Sequence, residues 1–402
     1  MNRYTLGACA LAAILAGCGG GSPTAPAPSS VAGHTAAATQ GKIQNLIVII
    51  QSSRSFDNLF AGYPGADAPT QGLTSTGSFV PLKPIALTRG ACKLDGTYAD
   101  YFDVAYDGGK MDGWNLLDSS DPLCPYTRVK RSETRPYWKL AQRFALADKA
   151  FGSTRFGAWV ERLYLIAGTT QINKNTYVID PVNGRHEGCD SPPGTKTSLL
   201  RNGRVERFRG PFPCFTQFPT IADLLDRASV TWRFYYDARS EVLNPFDAIQ
   251  DVREGPDWTR DMSVPATNVL ADIANGNLAA VSWVSSPVAD SDYPGRSGGP
   301  KWVAAIAAAL EKSSYWHHAA IVVVWDNAGD GLYYDDVPPP QLDPMGLGFR
   351  VPMVVISPLA ERGYVSHVQY EFGSILKFIE ENWSLGSLGA TDVRANSLGD
   401  MF

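Results

Sequence analysis

The sequence predicts an α/β fold in which a mainly parallel sheet carries helices on both faces. Two continuous apolar runs, NLIVIIQ at Asn45–Gln51 and AAIVVVW at Ala319–Trp325, are typical of strands buried on both sides. Helical segments alternate with such strands, which implies right-handed crossovers between parallel neighbours. The chain has 402 residues, of which 44% are hydrophobic and 19% charged, so it can bury a large core.

The remaining helices and strands are predicted from the spacing of apolar residues and from the positions of glycine and proline. Trp302, Ile306 and Leu310 share one helical face, and Gly168 is placed to end a helix. The predicted strands are Asn45–Gln51, Val230–Tyr236, Leu278–Val284, Ala319–Trp325 and Val351–Ile356. The predicted helices are Tyr137–Phe151, Gly157–Gly168, Ile221–Ser229, Trp302–Leu310 and Phe372–Trp383.

The N-terminus predicts export. Residues 1–18 have a short polar start and an apolar centre, and end in Leu15-Ala16-Gly17-Cys18, which resembles a bacterial lipobox. The apolar part is shorter than the roughly 20 residues a membrane-spanning helix needs. Cys18 is therefore the predicted lipidation site, and an ordinary secretory signal is the alternative. The expected location is the bacterial cell envelope, with the outer membrane as one candidate and the lipid as the only membrane attachment.

The predicted domain organisation follows from composition. Residues 19–41 are small, polar and rich in Pro and Gly, which is typical of a tether. Residues 42–402 then form one domain, with long insertions near 64–136 and 173–218 where periodicity is weak. A net charge of −5 without a basic patch argues against nucleic acid as a partner.

Four cysteines lie in the predicted domain, and an exported chain favours disulfides between them. Sequential pairing, Cys92 with Cys124 and Cys189 with Cys214, is our prediction, although spacing alone does not fix the pairing. Each bond would stabilise the fold by roughly 3–4 kcal/mol through loop closure. A zinc site is the weaker alternative because no CxxC pair is present.

Polar residues follow the predicted strands at the edge where α/β proteins bind ligands. Asp326 and Asn327 follow the strand ending at Trp325, with Asp330, Asp335 and Asp336 shortly after. A metal or substrate site is expected there, and a solvated acidic turn is the alternative.

Several segments together resemble the bacterial phosphoesterase family of phospholipases C and secreted acid phosphatases, within the alkaline phosphatase superfamily. They are IVIIQSSRSFDNLFAGYPGAD, YDGGKMDGW, RLYLIAG, SDYPG, VVVWDNAGDGLYYDDVPPP and GFRVPMVVISPLAERGYVSHVQYEFGSILKFIEENW. The resemblance runs from about Ile43 to Phe402. It implies an alkaline-phosphatase-like sandwich and hydrolysis of phosphoric esters by a Ser or Thr nucleophile, with a divalent metal as cofactor and a phosphate ester or related small molecule as substrate.

The chain departs from this family at the metal ligands. Where the family usually has Glu-Asn, this sequence has Ser52-Ser53, and serine is a much weaker ligand than a carboxylate. The family's acidic pair after the central strand becomes Asp326-Asn327, and its later Asp-His becomes Asp335-Asp336. The resemblance leaves Asp326, Asn327 and Asp335 as metal candidates, and it is equally compatible with a site that holds no metal.

The nucleophile is also missing. Its position falls on Ala158, which has no hydroxyl group to attack phosphorus. Ser153, Thr154 or Ser55 would have to replace it. The family's Ser-Asp-His-Pro becomes SDYP at residues 291–294, which leaves Ser52, Ser53, Asp292 and His367 as candidate substrate-binding residues. A structural hydrogen bond is the alternative for His367.

Two hypotheses remain. In the first, the protein hydrolyses phosphoric esters with an altered metal site and an unrecognised nucleophile or a metal-activated water. In the second, it is a catalytically inactive relative that binds a ligand or a partner at the cell envelope.

Overall fold

The computed structural model describes residues 41–90, 92, 98–118, 120–184, 186–237, 244–328 and 332–402. Cys18, the signal segment, the tether up to residue 40 and Asp330 lie outside the described residues. Within the described part, no helix is long and apolar enough to cross a membrane.

The strands, in chain order, are β1 (Asn45–Gln51), β2 (Gln71–Leu73), β3 (Phe79–Pro81), β4 (Lys83–Ile85), β5 (Thr127–Val129), β6 (Ala145–Phe151), β7 (Gln171–Asn173), β8 (Thr176–Ile179), β9 (Ser198–Arg201), β10 (Arg204–Glu206), β11 (Trp232–Tyr235), β12 (Met262–Ser263), β13 (Val281–Ser285), β14 (Ala319–Trp325), β15 (Arg350–Ile356) and β16 (Tyr364–Ser366). The α-helices are α1 (Phe56–Phe60), α2 (Tyr98–Tyr106), α3 (Arg131–Arg143), α4 (Ala158–Ala167), α5 (Ile221–Arg227), α6 (Gln250–Arg253), α7 (Asp257–Asp261), α8 (Asn268–Asn275), α9 (Gly299–Glu311), α10 (Phe372–Asn382) and α11 (Thr391–Arg394).

Eight strands form the central sheet in the order β12-β11-β13-β1-β14-β15-β6-β16. All neighbours are parallel except that β15 runs antiparallel to both β14 and β6. Every residue of β1 and β14 is buried, so both faces of the sheet are covered. Helices α3, α8 and α9 pack together as one group, and α4, α5 and α10 as another. The predicted α/β class with a mainly parallel sheet is confirmed.

One element of the sequence prediction is wrong. Tyr137–Phe151 was expected to be a single helix, but the helix ends at Arg143 and Ala145–Phe151 forms β6. The run ALADKAF has few of the β-branched and aromatic residues that favour strands. Pairing with β15 on one side and β16 on the other overrides that weak local preference.

The two predicted insertions contain regular structure. Residues 64–136 include the pair β2–β3, the pair β4–β5 and helix α2, while β7 to β10 form a four-stranded antiparallel sheet beginning at Gln171. Cys92 is bonded to Cys124 and Cys189 to Cys214, in agreement with sequential pairing. The disulfides therefore lie in the excursions rather than in the central sheet.

Strand register brings three chain segments together at the carboxyl edge of the sheet. Gln51 lies opposite Trp325, and Ile50 lies opposite Ser285. β1, β13 and β14 therefore end at nearly the same level. The residues that follow them, including Ser53 and Asp326, emerge side by side.

Candidate functional site

The centre of the carboxyl edge is the contact between Ser53 and Asp326. Ser53 has a positive φ of 58°, an uncommon conformation for a residue with a side chain. This turn directs its backbone N–H to Asp326 Oδ1 at 3.2 Å. Ser53 and Asp326 therefore lie beside each other, and their neighbours Ser52 and Asn327 are also buried.

The second oxygen of Asp326 is bound by Arg162 from helix α4. Arg162 Nε donates to Asp326 Oδ2 at 3.0 Å, and its terminal nitrogen lies 2.9 Å from the same oxygen. Another guanidinium nitrogen donates to Ser285 Oγ at 2.8 Å. Both side chains of the pair are only 1% exposed. A protein cation thus occupies the carboxylate that the family resemblance assigns to a metal.

Glu161 does not pair with its neighbour Arg162. Its carboxyl group instead accepts the backbone N–H groups of Ser153 at 2.8 Å and Thr154 at 3.3 Å. Burial raises the pKa of Glu161 well above its usual value, which favours the neutral acid. A local ion pair between the two adjacent residues is therefore absent.

The amino end of α4 carries the position that the family resemblance assigns to the nucleophile. Ala158 is the first residue of the helix and Gly157 precedes it as the cap. The carboxylate of Asp180 lies so close to Gly157 that a Cβ there would overlap it. A helix amino end favours negative charge, and here the protein supplies that charge itself.

The three hydroxyl groups that might replace the nucleophile are all buried and engaged. Ser153 Oγ accepts the N–H of Phe372 at 2.9 Å, and Thr154 Oγ1 accepts that of Phe156 at 3.2 Å. Ser55 Oγ donates to the carbonyl of Tyr334 at 2.7 Å while capping α1. Each hydroxyl therefore fulfils a structural role.

A separate acidic cluster surrounds Arg350 at the start of β15. Its guanidinium donates to Asp335 Oδ1 at 2.8 Å, to Asp57 Oδ1 at 3.0 Å and to Asp336 Oδ1 at 3.0 Å. Two backbone hydrogen bonds also join these residues. The N–H of Asp57 donates to Asp335 Oδ2, and the N–H of Asp336 donates to Asp57 Oδ2. Asp335 thus belongs to this cluster rather than to the Asp326 pair.

Three carboxyl groups share one cation in this cluster, so their full ionisation is unfavourable. Burial, followed by the charge of Asp335, raises the pKa of Asp57 well above its usual value. Burial also raises the pKa of Asp335 to about 7, although Arg350 opposes the shift. Burial and mutual repulsion thus favour the protonated forms of these acids, while Arg350 favours the ionised forms.

Asp292 is a further buried carboxylate, and it contacts the last residue of β14. Its Oδ2 accepts hydrogen bonds from Tyr137 Oη at 2.8 Å and Trp325 Nε1 at 2.9 Å. Its Oδ1 is buried without a hydrogen-bond partner among the described residues. Burial raises the pKa of Asp292 to about 6. Tyr293, which stands where the family has His, is 46% exposed.

His367 lies next to the edge strand of the central sheet, away from the Asp326 pair. β16, which it follows, is separated from β14 by β15 and β6, a distance of roughly 14 Å at ordinary strand spacing. Its Nδ1 contacts Asp148 Oδ2 at 2.9 Å, and its side chain is 59% exposed. The structure therefore gives His367 a carboxylate partner but does not bring it to Asp326.

The donors present do not fit the divalent metal that the family implies. Both oxygens of Asp326 are engaged, one by a backbone N–H and one by Arg162. Asp57, Asp335 and Asp336 offer oxygens within 4.8 Å of one another, but Arg350 contacts all three. A metal at either place would have to displace a buried guanidinium.

Sequence reasoning did not reveal the ion pairs that organise this edge. Arg162 and Asp326 are 164 positions apart, and Arg350 and Asp57 are 293 apart, so no local pattern reveals either pair. The one available signal was a charged residue at the start of the apolar run of β15. A third arginine, Arg54, donates to the carbonyl of Asp292 at 2.9 Å and stacks on Tyr333.

Residues 43–386 match the model of the Phosphoesterase family, and the chain belongs to this family. It is 25% identical to the non-hemolytic phospholipase C of Pseudomonas aeruginosa, over 89% of this chain and 56% of that protein. It is 23% identical to phospholipase C A of Mycobacterium tuberculosis, over 89% of this chain and 76% of that protein. The chain thus spans little more than half the length of the Pseudomonas relative.

Solved structures resemble the chain more distantly. An alkaline phosphatase superfamily protein from Vibrio parahaemolyticus is 12% identical, with a TM-score of 0.40 over 90% of this chain and 72% of that one. The lipoteichoic acid synthase LtaP from Listeria monocytogenes is 11% identical, with a TM-score of 0.43 over 90% of this chain and 76% of that one.

Proposed function

We propose that this chain is an exported Phosphoesterase-family protein that binds a ligand or partner at the cell envelope without hydrolysing phosphoric esters. The observation that carries the proposal is the Arg162–Asp326 pair at the carboxyl edge of the sheet. Ala158 at the nucleophile position and the Asp180 carboxylate at the amino end of α4 agree with it. The protein supplies its own cation and its own anion where a metal and a phosphate would be needed.

The energetic argument rests on burial. Removing one partner from a buried ion pair costs about 3–5 kcal/mol, because the other charge is left uncompensated. A metal that displaced Arg162 from Asp326 would bear a cost of that size, equivalent to roughly two to four orders of magnitude in affinity. It would then meet Ser52 and Ser53 rather than carboxylates as neighbouring ligands. Metal-dependent attack is disfavoured both by the cation already present and by the missing hydroxyl.

Export and lipid attachment at Cys18 are part of the proposal. The lipobox-like sequence supports them, as do two disulfides in the described residues, since such bonds persist mainly in oxidising compartments. Radiolabelled palmitate incorporation in a bacterial host tests the lipid, with Cys18→Ser as the matched control. Equal labelling of both proteins would remove this part of the proposal.

The activity test uses purified mature protein with an aryl phosphate and with phosphatidylcholine, each in the presence of Mn²⁺, Zn²⁺, Ca²⁺ or Mg²⁺. We expect no turnover above background and no stoichiometric metal by elemental analysis. Metal-dependent turnover that disappears in Asp326→Ala would overturn the proposal. Tight calorimetric binding of a phosphate ester without turnover would support it.

Hydrolysis of phosphoric esters is the second candidate function. Family membership favours it, together with the three carboxylates Asp57, Asp335 and Asp336, whose oxygens lie close enough to hold one ion. It predicts metal-dependent turnover that is lost in Asp335→Asn. The matched control is Asp257→Asn, because Asp226, Asp257 and Asp261 form a second group of acids whose oxygens also lie within 4.8 Å of one another. Equal residual rates in both variants would count against this candidate.

A further inference from the structure

The first insertion, near residues 64–136, contains an open groove whose lining includes neither Arg162 nor Asp326. It has a volume of about 890 Å³ and runs beside β3, β4 and the Cys92–Cys124 disulfide. Three cations line it, namely Lys83, Arg89 and Lys130, together with the apolar side chains of Val80, Ile85 and Leu123. We call this surface the basic groove.

The charge of the basic groove is opposite to that of the whole protein. Lys83, Arg89 and Lys130 are all exposed, and none forms an ion pair with another described residue. Among the described residues of the lining, Asp121 is the one acidic residue, so three positive charges face one negative charge. The complete chain has a net charge of −5. A local excess of unpaired cations on an acidic protein indicates an anionic binding partner.

Large apolar side chains are exposed in the same insertion. Phe79 is 62% exposed and Leu123 is 51% exposed; Phe79 precedes the groove residue Val80 on β3, and Leu123 lines the groove. Leu116, which is 60% exposed, belongs to the same region. Its neighbour Asn115 accepts the N–H of Ser75 at 2.8 Å and donates to Ser75 Oγ at 3.0 Å, which fixes it at the β2–β3 turn.

We propose that the basic groove, together with the exposed apolar side chains of Phe79, Leu116 and Leu123, docks on the surface of an anionic phospholipid bilayer. Cations that reach lipid headgroups beside apolar side chains that enter the headgroup–acyl boundary are the combination that interfacial binding requires. A free phosphate would use the cations but would leave Phe79, Leu116 and Leu123 exposed to water. The inference does not depend on whether the chain is an enzyme, although a lipid at Cys18 would hold it beside such a surface.

The test measures co-sedimentation of the mature chain, residues 18–402 with Cys18→Ser, so that neither the signal segment nor an attached lipid contributes to binding. Vesicles of phosphatidylcholine alone are compared with vesicles that also contain phosphatidylglycerol. We expect binding to the anionic vesicles only, with a partition constant that falls as salt rises. Each cation near an anionic surface contributes about fivefold, so Lys83→Ser with Lys130→Ser should lower the constant roughly 25-fold. Leu123→Ser should weaken the binding that remains at high salt.

Two further variants serve as controls. Lys139→Ser with Lys301→Ser removes two exposed lysines outside the groove and should leave binding unchanged. Asp121→Asn removes the acid from the lining and should strengthen binding about fivefold, a gain that misfolding does not produce. Unfolding curves of all variants are recorded to verify the fold.

Three results would overturn the proposal. The first is equal binding to neutral and anionic vesicles. The second is equal loss in the groove pair and in the control pair, or no gain in Asp121→Asn. The third is displacement from the vesicles by inorganic phosphate at constant ionic strength, which would assign the groove to a free anion instead.

Discussion

The Arg162–Asp326 pair can be tested by replacing Arg162 with methionine. Methionine keeps an unbranched apolar chain in the space of the arginine but removes the guanidinium. Asp326, which is only 1% exposed, then retains the Ser53 N–H on Oδ1 and loses both contacts on Oδ2. Ser285 Oγ loses its donor in the same step.

The expected cost is about 3–5 kcal/mol in the free energy of unfolding, because a buried charge is left without its partner. The cost should shrink in acid. An unpaired buried carboxyl group has a raised pKa, so lowering the pH neutralises it and relieves the penalty. Combining Arg162→Met with Asp326→Leu removes both charges and should recover most of the lost stability.

Denaturant unfolding at neutral and acid pH, followed by circular dichroism and tryptophan fluorescence, measures these differences. Arg143→Met is the matched control, because Arg143 pairs with Glu311 at 3.1 Å but is 55% exposed. An exposed pair of this kind contributes at most about 1 kcal/mol. Loss of the guanidinium should also let Asp326 bind Mn²⁺. At an Mn²⁺ concentration 100 times the dissociation constant, the free energy of unfolding of Arg162→Met should rise by about 2.7 kcal/mol.

The reasoning would be refuted if Arg162→Met cost no more than Arg143→Met. It would also fail if the double variant were as unstable as the single one, since the unpaired charge would then not be the cause. An equal response of the unmodified protein and Arg162→Met to Mn²⁺ would show that Arg162 does not compete with a metal.

Three further predictions concern the surrounding structure. Arg350→Met should cost more than Arg162→Met, because three carboxyl groups lose their shared cation, and both proteins can be compared by denaturant unfolding. Because the pKa of Asp292 is raised from 3.8 to about 6, the folded state binds its proton more tightly, and stability should fall by about 2 kcal/mol as pH rises from about 4 to about 6. Asp292→Asn should flatten that slope, and an unchanged slope would contradict the assignment. Replacing Cys189 and Cys214 by serine should cost about 3.5 kcal/mol, measured against the oxidised protein, and no loss would contradict the loop-closure estimate.

The sequence predicted best where one local signal decides the structure. Asn45–Gln51 and Ala319–Trp325 have the bounds expected from their apolar runs, because a strand buried on both faces favours a nearly continuous series of apolar residues. β6 was missed because its residues are poor strand formers and its two neighbours determine its conformation. Long-range pairing is the information that local periodicity lacks.

The candidate site was predictable only in part, for the same reason. Ser53 and Asp326 were each expected at the carboxyl edge because each follows a buried strand, but the hydrogen bond between them was not predicted. Asp335, Asp292 and His367 were grouped with them by resemblance, yet each has its own partners, respectively Arg350, Tyr137 and Asp148. Residue type indicated chemistry, but only packing decided which groups share a site.

The departures from the family pattern are physically consistent with one another. A carboxylate buried at the sheet edge needs a positive charge, and Arg162 supplies one with two contacts to the same oxygen. A metal would supply the same charge, but its further use is to activate a hydroxyl, and position 158 carries none. The guanidinium cannot be deprotonated or lost to solution, so it stabilises the fold without dependence on an ion. An ion pair at this edge is therefore compatible with the buried α/β core and agrees with the proposed binding function.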